Sequence, residues 1–313
     1  GLGDVYKRQG DCWGMYTSST PHWLCQWSVA GHDAVVHAEV VAALCCAVCR
    51  EGLTEDAAGL HCPAGHRFDR ARQGYINLLL GSAASAGDNA EMMAMRSEWL
   101  EAGHYQPLVE RLLELSRDCC PEHGVLVDAG AGTGYYLGAV LEGLPGRHGL
   151  AMDVSKYAAR RAAKAHSRCE SIVADSMARL PLGDDCAALV VNLFAPRNGA
   201  EFRRILRTDG ALVVVTPKPE HLDELRPSLR LLDVDPDKSD RVAKALDPYF
   251  VGETPQELSW PMHLGHAEIR RVVLMGPSSW HVSKDDLDAR IAELPEPYTV
   301  HGSVRLRVYR PRE

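Results

Sequence analysis

Val125-Leu126-Val127-Asp128-Ala129-Gly130-Ala131-Gly132-Thr133-Gly134 is the stretch that decides the fold. An apolar run ends in an acid, a G-x-G-x-G turn follows, and Tyr135 opens a helical stretch. Glycines in such a turn let the backbone come close to a nucleotide-like ligand. The turn alone is weak, so the downstream strands decide. A second strand, 149–152, ends in Asp153, nineteen residues beyond Gly134. A carboxylate there can accept both ribose hydroxyls. A third strand, 171–174, ends in Asp175, a fourth, 187–191, in Asn192-Leu193-Phe194-Ala195-Pro196, and a fifth, 211–215, in Thr216-Pro217. Polar residues recurring at strand carboxyl ends mark the binding edge of an open α/β sheet.

Acids after the first three strands give the S-adenosylmethionine pattern. The fold class is therefore α/β, a class I, Rossmann-like methyltransferase domain. A nicotinamide dehydrogenase would more often show G-x-G-x-x-G, and here Gly134 already follows Thr133. In this reading Asp128 orders the loop and faces the methionine amine, Asp153 holds the ribose, and Asp175 takes the adenine amine. Gly130, Gly132, Thr133, Gly134 and Tyr135 complete the cofactor turn. Strand-end Asp also forms turns and caps helices, which is the competing role for each acid.

The chain has 313 residues, enough for about two domains. With 46% hydrophobic and 24% charged residues it sits in the ordinary globular range, which excludes fibrous or wholly disordered chains. Its longest apolar run, 40–49, is too short to span a membrane. A net charge of −8 confines any nucleic-acid contact to local basic patches. No apolar stretch follows a basic start, so a cytoplasmic location is expected.

Ten cysteines are spread unevenly, with four crowded into 45–62. Cys46-x2-Cys49 and Cys62-x3-His66, twelve residues apart, form two close ligand pairs. Three thiolates and an imidazole make a closed tetrahedral set for one structural Zn2+, with no open position for chemistry. Cys45 is a neighbour but lacks the x2 spacing to Cys49. After His66, Arg67, Arg70 and Arg72 interleave with Phe68 and Tyr75, a pattern that can grip phosphates and stack unpaired bases, or form a solvated rim. Residues 1–43 show no period, and Asp4-Val5-Tyr6-Lys7-Arg8-Gln9 matches one translated frame of a transposase adapter. That segment reads as an artefact or a disordered extension. The expected organisation is 44–80 zinc-binding and RNA-recognising, 81–120 a linker and helical connection, and 121–313 the methyltransferase domain.

From Leu44 onward, about 270 residues, the chain resembles the large-subunit ribosomal RNA guanine-N1 methyltransferases of the RlmA type, tylosin-resistance branch. The stretches that carry this are the zinc knuckle, Phe68-Asp69-x-Ala71-Arg72-Gln73-Gly74-Tyr75, Gly103-His104-Tyr105, the glycine turn, Asn192 to Asn198, His221-Leu222 and Met275-Gly276-Pro277-Ser278-Ser279-Trp280-His281. The resemblance implies a zinc domain for RNA recognition, a guanine acceptor in a large-subunit rRNA hairpin, a homodimer, and a cofactor site lined by Tyr105 and His221. It also implies a part in macrolide resistance.

Guanine N1 carries a proton at neutral pH, so attack on a sulfonium methyl needs a nearby acceptor. Asn192 and the carbonyls around Ala195 and Pro196 are the candidates, followed by His221 and Asp88. No Asn/Asp-Pro-Pro-Tyr/Phe follows the fourth strand, which weakens methylation of an exocyclic amine. Phe194 or Trp280 could stack on an extruded base. Lys156, Arg160, Arg161, Lys164 and Arg168 form a basic segment, and Arg305, Arg307, Arg310 and Arg312 read as one basic strand face. A small-molecule methyltransferase and a catalytically silent RNA-binding protein are the alternatives.

Overall fold

The computed structural model describes residues 37–81, 87–231, 238–276, 279 and 283–313. Helix α1 (Ala38–Ala43) turns Val40 and Ala43 into the core. These six residues belong to the fold, which moves the expected boundary at 43 toward the N-terminus; a helix this short shows no readable period. Residues 1–36, with the adapter-like stretch, lie outside the described residues, as does Trp280.

Strands β1 (Thr54–Asp56), β2 (Gly59–His61) and β3 (Arg67–Asp69) then make a small antiparallel sheet. Asp56 Oδ1 accepts the N–H groups of Ala58 (2.9 Å) and Gly59 (3.2 Å), closing the turn between β1 and β2. A Cβ on Gly59 would stand 2.3 Å from the Phe68 carbonyl oxygen, so the pairing with β3 requires glycine there. Strand β4 (Ile76–Asn77) leaves this unit for the large sheet.

Helices α2 (Ala90–Glu101) and α3 (Gln106–Cys119) come next. Asn89 caps α2, its Oδ1 accepting from Glu91 and Met92 N–H. Pro107 sits in the first turn of α3, where its missing N–H costs nothing. The helical connection is two helices, broken at Gly103 with φ 80°. Trp99, Leu100, Leu108 and Leu112 are buried in the main core. From α2 onward the expected linker is thus one layer of the catalytic domain.

The rest of the chain is β5 (Val125–Ala129), α4 (Tyr135–Gly143), β6 (Gly149–Asp153), α5 (Lys156–Ala162), β7 (Cys169–Val173), β8 (Ala187–Leu193), α6 (Gly199–Ile205), β9 (Leu206–Pro217), α7 (Leu225–Leu229), α8 (Lys238–Leu246), β10 (Phe250–Gly252), β11 (Gln256–Leu264), α9 (His266–Leu274), α10 (Lys284–Ile291) and β12 (Tyr298–Pro311). Among the described residues the large sheet has nine strands in the order β10-β12-β9-β8-β5-β6-β7-β4, with β11 also paired to β12. Strand β12 runs antiparallel to β9, and the strands from β9 to β4 pair in parallel. β5 and β8 are buried along their whole length, which is why they read as unbroken apolar runs. The chain winds outward from β5 to β7 and returns to β8 beside β5, so the switch point of the sheet lies at the carboxyl ends of β5 and β8.

The zinc-binding unit is mounted on this sheet. β4 pairs with β7, setting Ile76 opposite Ile172 and Asn77 opposite Val173. On the other side, Cys45 N–H donates to the Pro181 carbonyl (3.0 Å), Gly183 N–H to that of Ala43 (2.9 Å), and Arg50 Nη2 to that of Leu182 (3.0 Å). Leu44, Leu53 and Leu60 share one apolar core with Leu150, Ile172 and Leu182.

Arg70 belongs to this mounting and not to an RNA surface. Its guanidinium pairs with Glu55 (3.1 Å) and with Glu170 on β7 (3.3 Å), and donates to the Gly74 carbonyl (2.6 Å); its side chain is 13% exposed. Two other basic groups are corrected likewise. Arg168 donates to the carbonyls of Leu141, Leu144 and Arg147 and so closes the end of α4. On β12 the three-residue step from Arg307 to Arg310 switches faces, so the four arginines do not share one. Arg305 pairs with Glu257 (2.9 Å) and Arg310 with Glu253 (3.2 Å), while Arg307 and Arg312 donate to backbone carbonyls of Glu253 and Asp247 (both 2.8 Å).

Removing one member of a largely buried ion pair leaves the other charge uncompensated, so Arg70→Ala should lower unfolding free energy by roughly 3 kcal/mol. Arg72→Ala, at an exposed position, should stay within about 0.5 kcal/mol. Urea midpoints read both; equal midpoints for the two variants would contradict the clamp.

Candidate active site and metal centre

The metal centre comes from two turns. Cys46 and Cys49 lie in the first, where Arg50 N–H returns to the Cys46 carbonyl (3.0 Å) and Val48 N–H points at Cys46 Sγ (3.4 Å). In the second, Gly65 N–H donates to the Cys62 carbonyl (2.9 Å) and Cys62 N–H to that of His66 (3.1 Å), with Gly65 at φ 86°. The four ligand atoms all lie within 4.8 Å of one another. Cys49 Sγ to Cys62 Sγ is 3.6 Å, Cys46 Sγ to His66 Nδ1 3.6 Å and Cys62 Sγ to His66 Nδ1 3.3 Å. Zinc–sulfur bonds of about 2.3 Å in a tetrahedron require edges of about 3.8 Å, so the set fits Zn2+ with little adjustment. Cys45 is not part of it.

At the sheet switch point the glycine loop is tied to the end of β6. Gly130 and Ala131 N–H both donate to the Met152 carbonyl (2.8 and 3.0 Å), and Gly132 N–H donates to Asp153 Oδ2 (2.9 Å). Asp153 Oδ1 accepts from Ser155 N–H (2.8 Å). Burial raises the Asp153 pKa, opposed by these two N–H bonds. Gly130 and Gly134 both have positive φ, 87° and 76°. A Cβ on Gly130 would stand 2.4 Å from Ala195 Cβ, and one on Gly134 2.8 Å from Ala162 Cα. The two glycines are therefore fixed by close packing as well as by conformation. Thr133 is half-buried in the loop, and Tyr135 is buried in the core cluster.

Asp128 ends β5 beneath this loop. It is 1% exposed, and its Oδ2 has no hydrogen-bond partner among the described residues. Burial, aided by the Asp153 carboxylate, pushes its pKa up to about 8. An unpartnered buried carboxylate under a glycine loop fits a ligand that brings an ammonium group. Asp175 Oδ1 accepts from Met177 N–H (2.8 Å), which closes the turn after β7.

Across the cleft stands an aromatic group. The break at Gly103 places Tyr105 over the strand ends, 4% exposed, with its hydroxyl 3.1 Å from His221 Nε2. Ser303 N–H donates to His221 Nδ1 (3.0 Å), which assigns the ring proton to Nε2 and makes Tyr105 Oη its acceptor. The phenol proton is then available to a ligand. Phe194 lies 6.3 Å from the Tyr105 ring and 6.0 Å from the His221 ring, is 37% exposed, and holds φ 55°, a conformation rare for a bulky residue.

Asn192 is corrected from a catalytic to a positioning residue. It is 0% exposed; Nδ2 donates to the carbonyls of Ala129 (2.9 Å) and Pro196 (3.0 Å), while Oδ1 accepts from Arg197 Nε (3.1 Å). Arg197 Nη2 also donates to the Ala195 carbonyl (2.9 Å). The carbonyls of Ala195 and Pro196 thus each accept a bond that holds the loop, and both His221 nitrogens are engaged. Asp88 pairs with Arg96 (2.6 Å). Arg96 lies beside Gly132; no sequence signal marks it, because one arginine on a helix is ordinary. Among the proposed RNA contacts, Arg67 is exposed and paired with Asp56, Arg72 is exposed, and Tyr75 is half-buried.

Residues 44–80 match the family described as "RlmA, N-terminal", a zinc ribbon. The chain is 48% identical over 294 residues to the "Putative 23S rRNA (guanine-N(1)-)-methyltransferase" of Micromonospora griseorubida, covering 88% of this chain and 100% of that protein. It is 46% identical to the 23S rRNA (guanine(748)-N(1))-methyltransferase of Streptomyces fradiae, covering 87% and 98%. Among solved structures it is similar to a geranyl diphosphate C-methyltransferase of Streptomyces coelicolor, with 15% identity, a TM-score of 0.39, and coverage of 65% and 77%. No helix among the described residues is long and apolar enough to cross a membrane.

One zinc per chain is expected by metal analysis. Cys49→Ala with Cys62→Ala should abolish it and lower the urea midpoint, whereas full zinc retention would exclude these ligands. Asp128 yields a pH test. Its folded pKa, about 8, lies above the ordinary carboxylate value, so the stability it confers is complete below that value and is lost as pH rises through about 8. Between about pH 4 and pH 8 the unliganded wild type should therefore lose more stability than Asp128→Asn; parallel curves would contradict the buried, protonated carboxyl.

Proposed function

The chain belongs to the 23S rRNA (guanine-N(1)-)-methyltransferases, and from that premise we propose that its acceptor is the guanine equivalent to position 748. It is an S-adenosylmethionine-dependent enzyme with a Cys3His zinc site in its N-terminal ribbon. The near full-length identity to the Streptomyces fradiae enzyme carries the choice of position. The small-molecule and catalytically silent alternatives have no support in these relatives.

In the proposed site, Asp128 faces the cofactor's ammonium, Asp153 its ribose and Asp175 its adenine, with Gly130 to Gly134 against the chain between them. When bound, S-adenosylmethionine supplies a methyl group on a sulfonium. The protein's part is largely positioning. Asn192 and Arg197 hold the strand-end loop at a fixed distance from the glycine loop. Tyr105, braced by His221, offers its phenol proton to the cleft. Phe194, exposed beside them, is the stacking surface for a guanine drawn out of its hairpin, a step that costs a few kcal/mol of unstacking. Arg67 and Arg72 of the zinc unit face solvent and, with the half-buried Tyr75, bear on the RNA, and Arg70 holds that unit on the sheet. Two copies of the chain acting together complete the proposal; sedimentation at working concentration reads it.

Primer extension on 23S rRNA from cells expressing the chain should show one new stop at the nucleotide beside position 748. A stop at another guanine would overturn the assigned position. Arg67→Ala with Arg72→Ala should weaken RNA binding and flatten its log-log salt slope by about 0.7 to 0.9 per lost phosphate contact. S-adenosylhomocysteine affinity should not move. An unchanged slope would place recognition elsewhere on the surface.

A further inference from the structure

The cradle described above is acidic. Asp128 and Asp153 suit an ammonium and two hydroxyls, but S-adenosylmethionine also carries an α-carboxylate on the same carbon as its ammonium. A carboxylate entering between two buried acids needs a cation at hydrogen-bonding range. Arg96, on α2, is placed for this. Its Nη1 lies 3.5 Å, and its Cδ 3.8 Å, from where a Cβ on Gly132, the middle glycine of the loop, would stand. Its charge is felt at Asp153, Tyr105 and Tyr136, three groups around the cradle.

The guanidinium is already oriented. Nη1 pairs with Asp88 Oδ2 at 2.6 Å and Nη2 donates to the Met275 carbonyl at 2.7 Å. The side chain is 27% exposed, so water screens it only in part. Those two contacts use two of five N–H donors, which leaves donors for a second, planar carboxylate. Asp88 and Met275 hold the fork in place from both sides, much as second partners fix a metal ligand.

We propose that Arg96 binds the α-carboxylate of the cofactor and so makes the site selective for the complete methionyl end over truncated nucleosides. The proposal rests on the cofactor assignment given above. Asp88, in this arrangement, orients Arg96 and is not a base.

Titration calorimetry on the full chain tests it with three probes: S-adenosylhomocysteine, its α-carboxamide, and 5′-methylthioadenosine, which lacks the aminoacyl end. The wild type should prefer S-adenosylhomocysteine over the carboxamide by at least about tenfold, the size of one charge-assisted hydrogen bond. Arg96→Gln should abolish that preference while leaving methylthioadenosine affinity within about twofold of wild type. Arg96→Lys, which keeps the charge without the fork, should retain part of it, and it carries the test if the Gln variant fails to fold. Equal wild-type affinity for S-adenosylhomocysteine and its carboxamide would overturn the proposal. So would an Arg96→Gln protein that keeps the preference, or one in which methylthioadenosine weakens as much as S-adenosylhomocysteine. A wild type that binds no S-adenosylhomocysteine would overturn the cofactor assignment and this proposal with it.

Discussion

Asn192 ties together the two loops at the switch point of the sheet. Its buried amide joins the carboxyl end of β5, through Ala129, to the loop after β8, through Pro196, and it receives Arg197 on its oxygen. The glycine loop begins at Ala129 and the proposed base-stacking Phe194 follows Asn192 by two residues, so one side chain sets cofactor loop against acceptor loop. Gly130 packed beneath Ala195 Cβ closes the same gap from the other direction. Asn198 extends the lock, its Nδ2 donating to the Met177 carbonyl beyond Asp175. Fully satisfied buried polar groups of this kind rigidify what they join, and a displacement of the acceptor by about 1 Å costs on the order of a hundredfold in rate.

A second constraint places the zinc-binding unit. Because β4 is an edge strand of the catalytic sheet, the metal-bound turns cannot reorient without breaking the pairing with β7 or the Arg70 clamp. Zinc in this arrangement does no chemistry; it fixes two turns of a unit whose three-residue strands could not hold themselves.

The sequence made the centre of the sheet legible, and the reason is physical. Central parallel strands are apolar on both faces and end at the ligand edge, so β5 to β9 and their terminal acids stand out from 125 onward. The metal ligands stand out because coordination demands their spacing. The contacts of Asn192, Arg70 and Arg168 are not legible in the sequence for one shared reason: a polar or basic side chain has the same letter whether it meets substrate or a buried partner, and only the long-range contact to Ala129, Glu170 or Leu141 tells the two apart. On β12 the odd step from 307 to 310 divides the four arginines between two faces. Helix α1 was missed for its length, and Arg96 because its partners Asp88 and Met275 lie far apart in the chain.

A strand-end loop without the Pro-Pro-aromatic motif, in a chain that belongs to the guanine-N1 methyltransferases, points to a ring nitrogen and not to an exocyclic amine or a ribose hydroxyl. The most direct measurement is nucleoside analysis of unmodified 23S rRNA incubated with the protein and methyl-labelled S-adenosylmethionine. The label should appear in 1-methylguanosine. Label in N2-methylguanosine or in a ribose-methylated nucleoside would contradict the account.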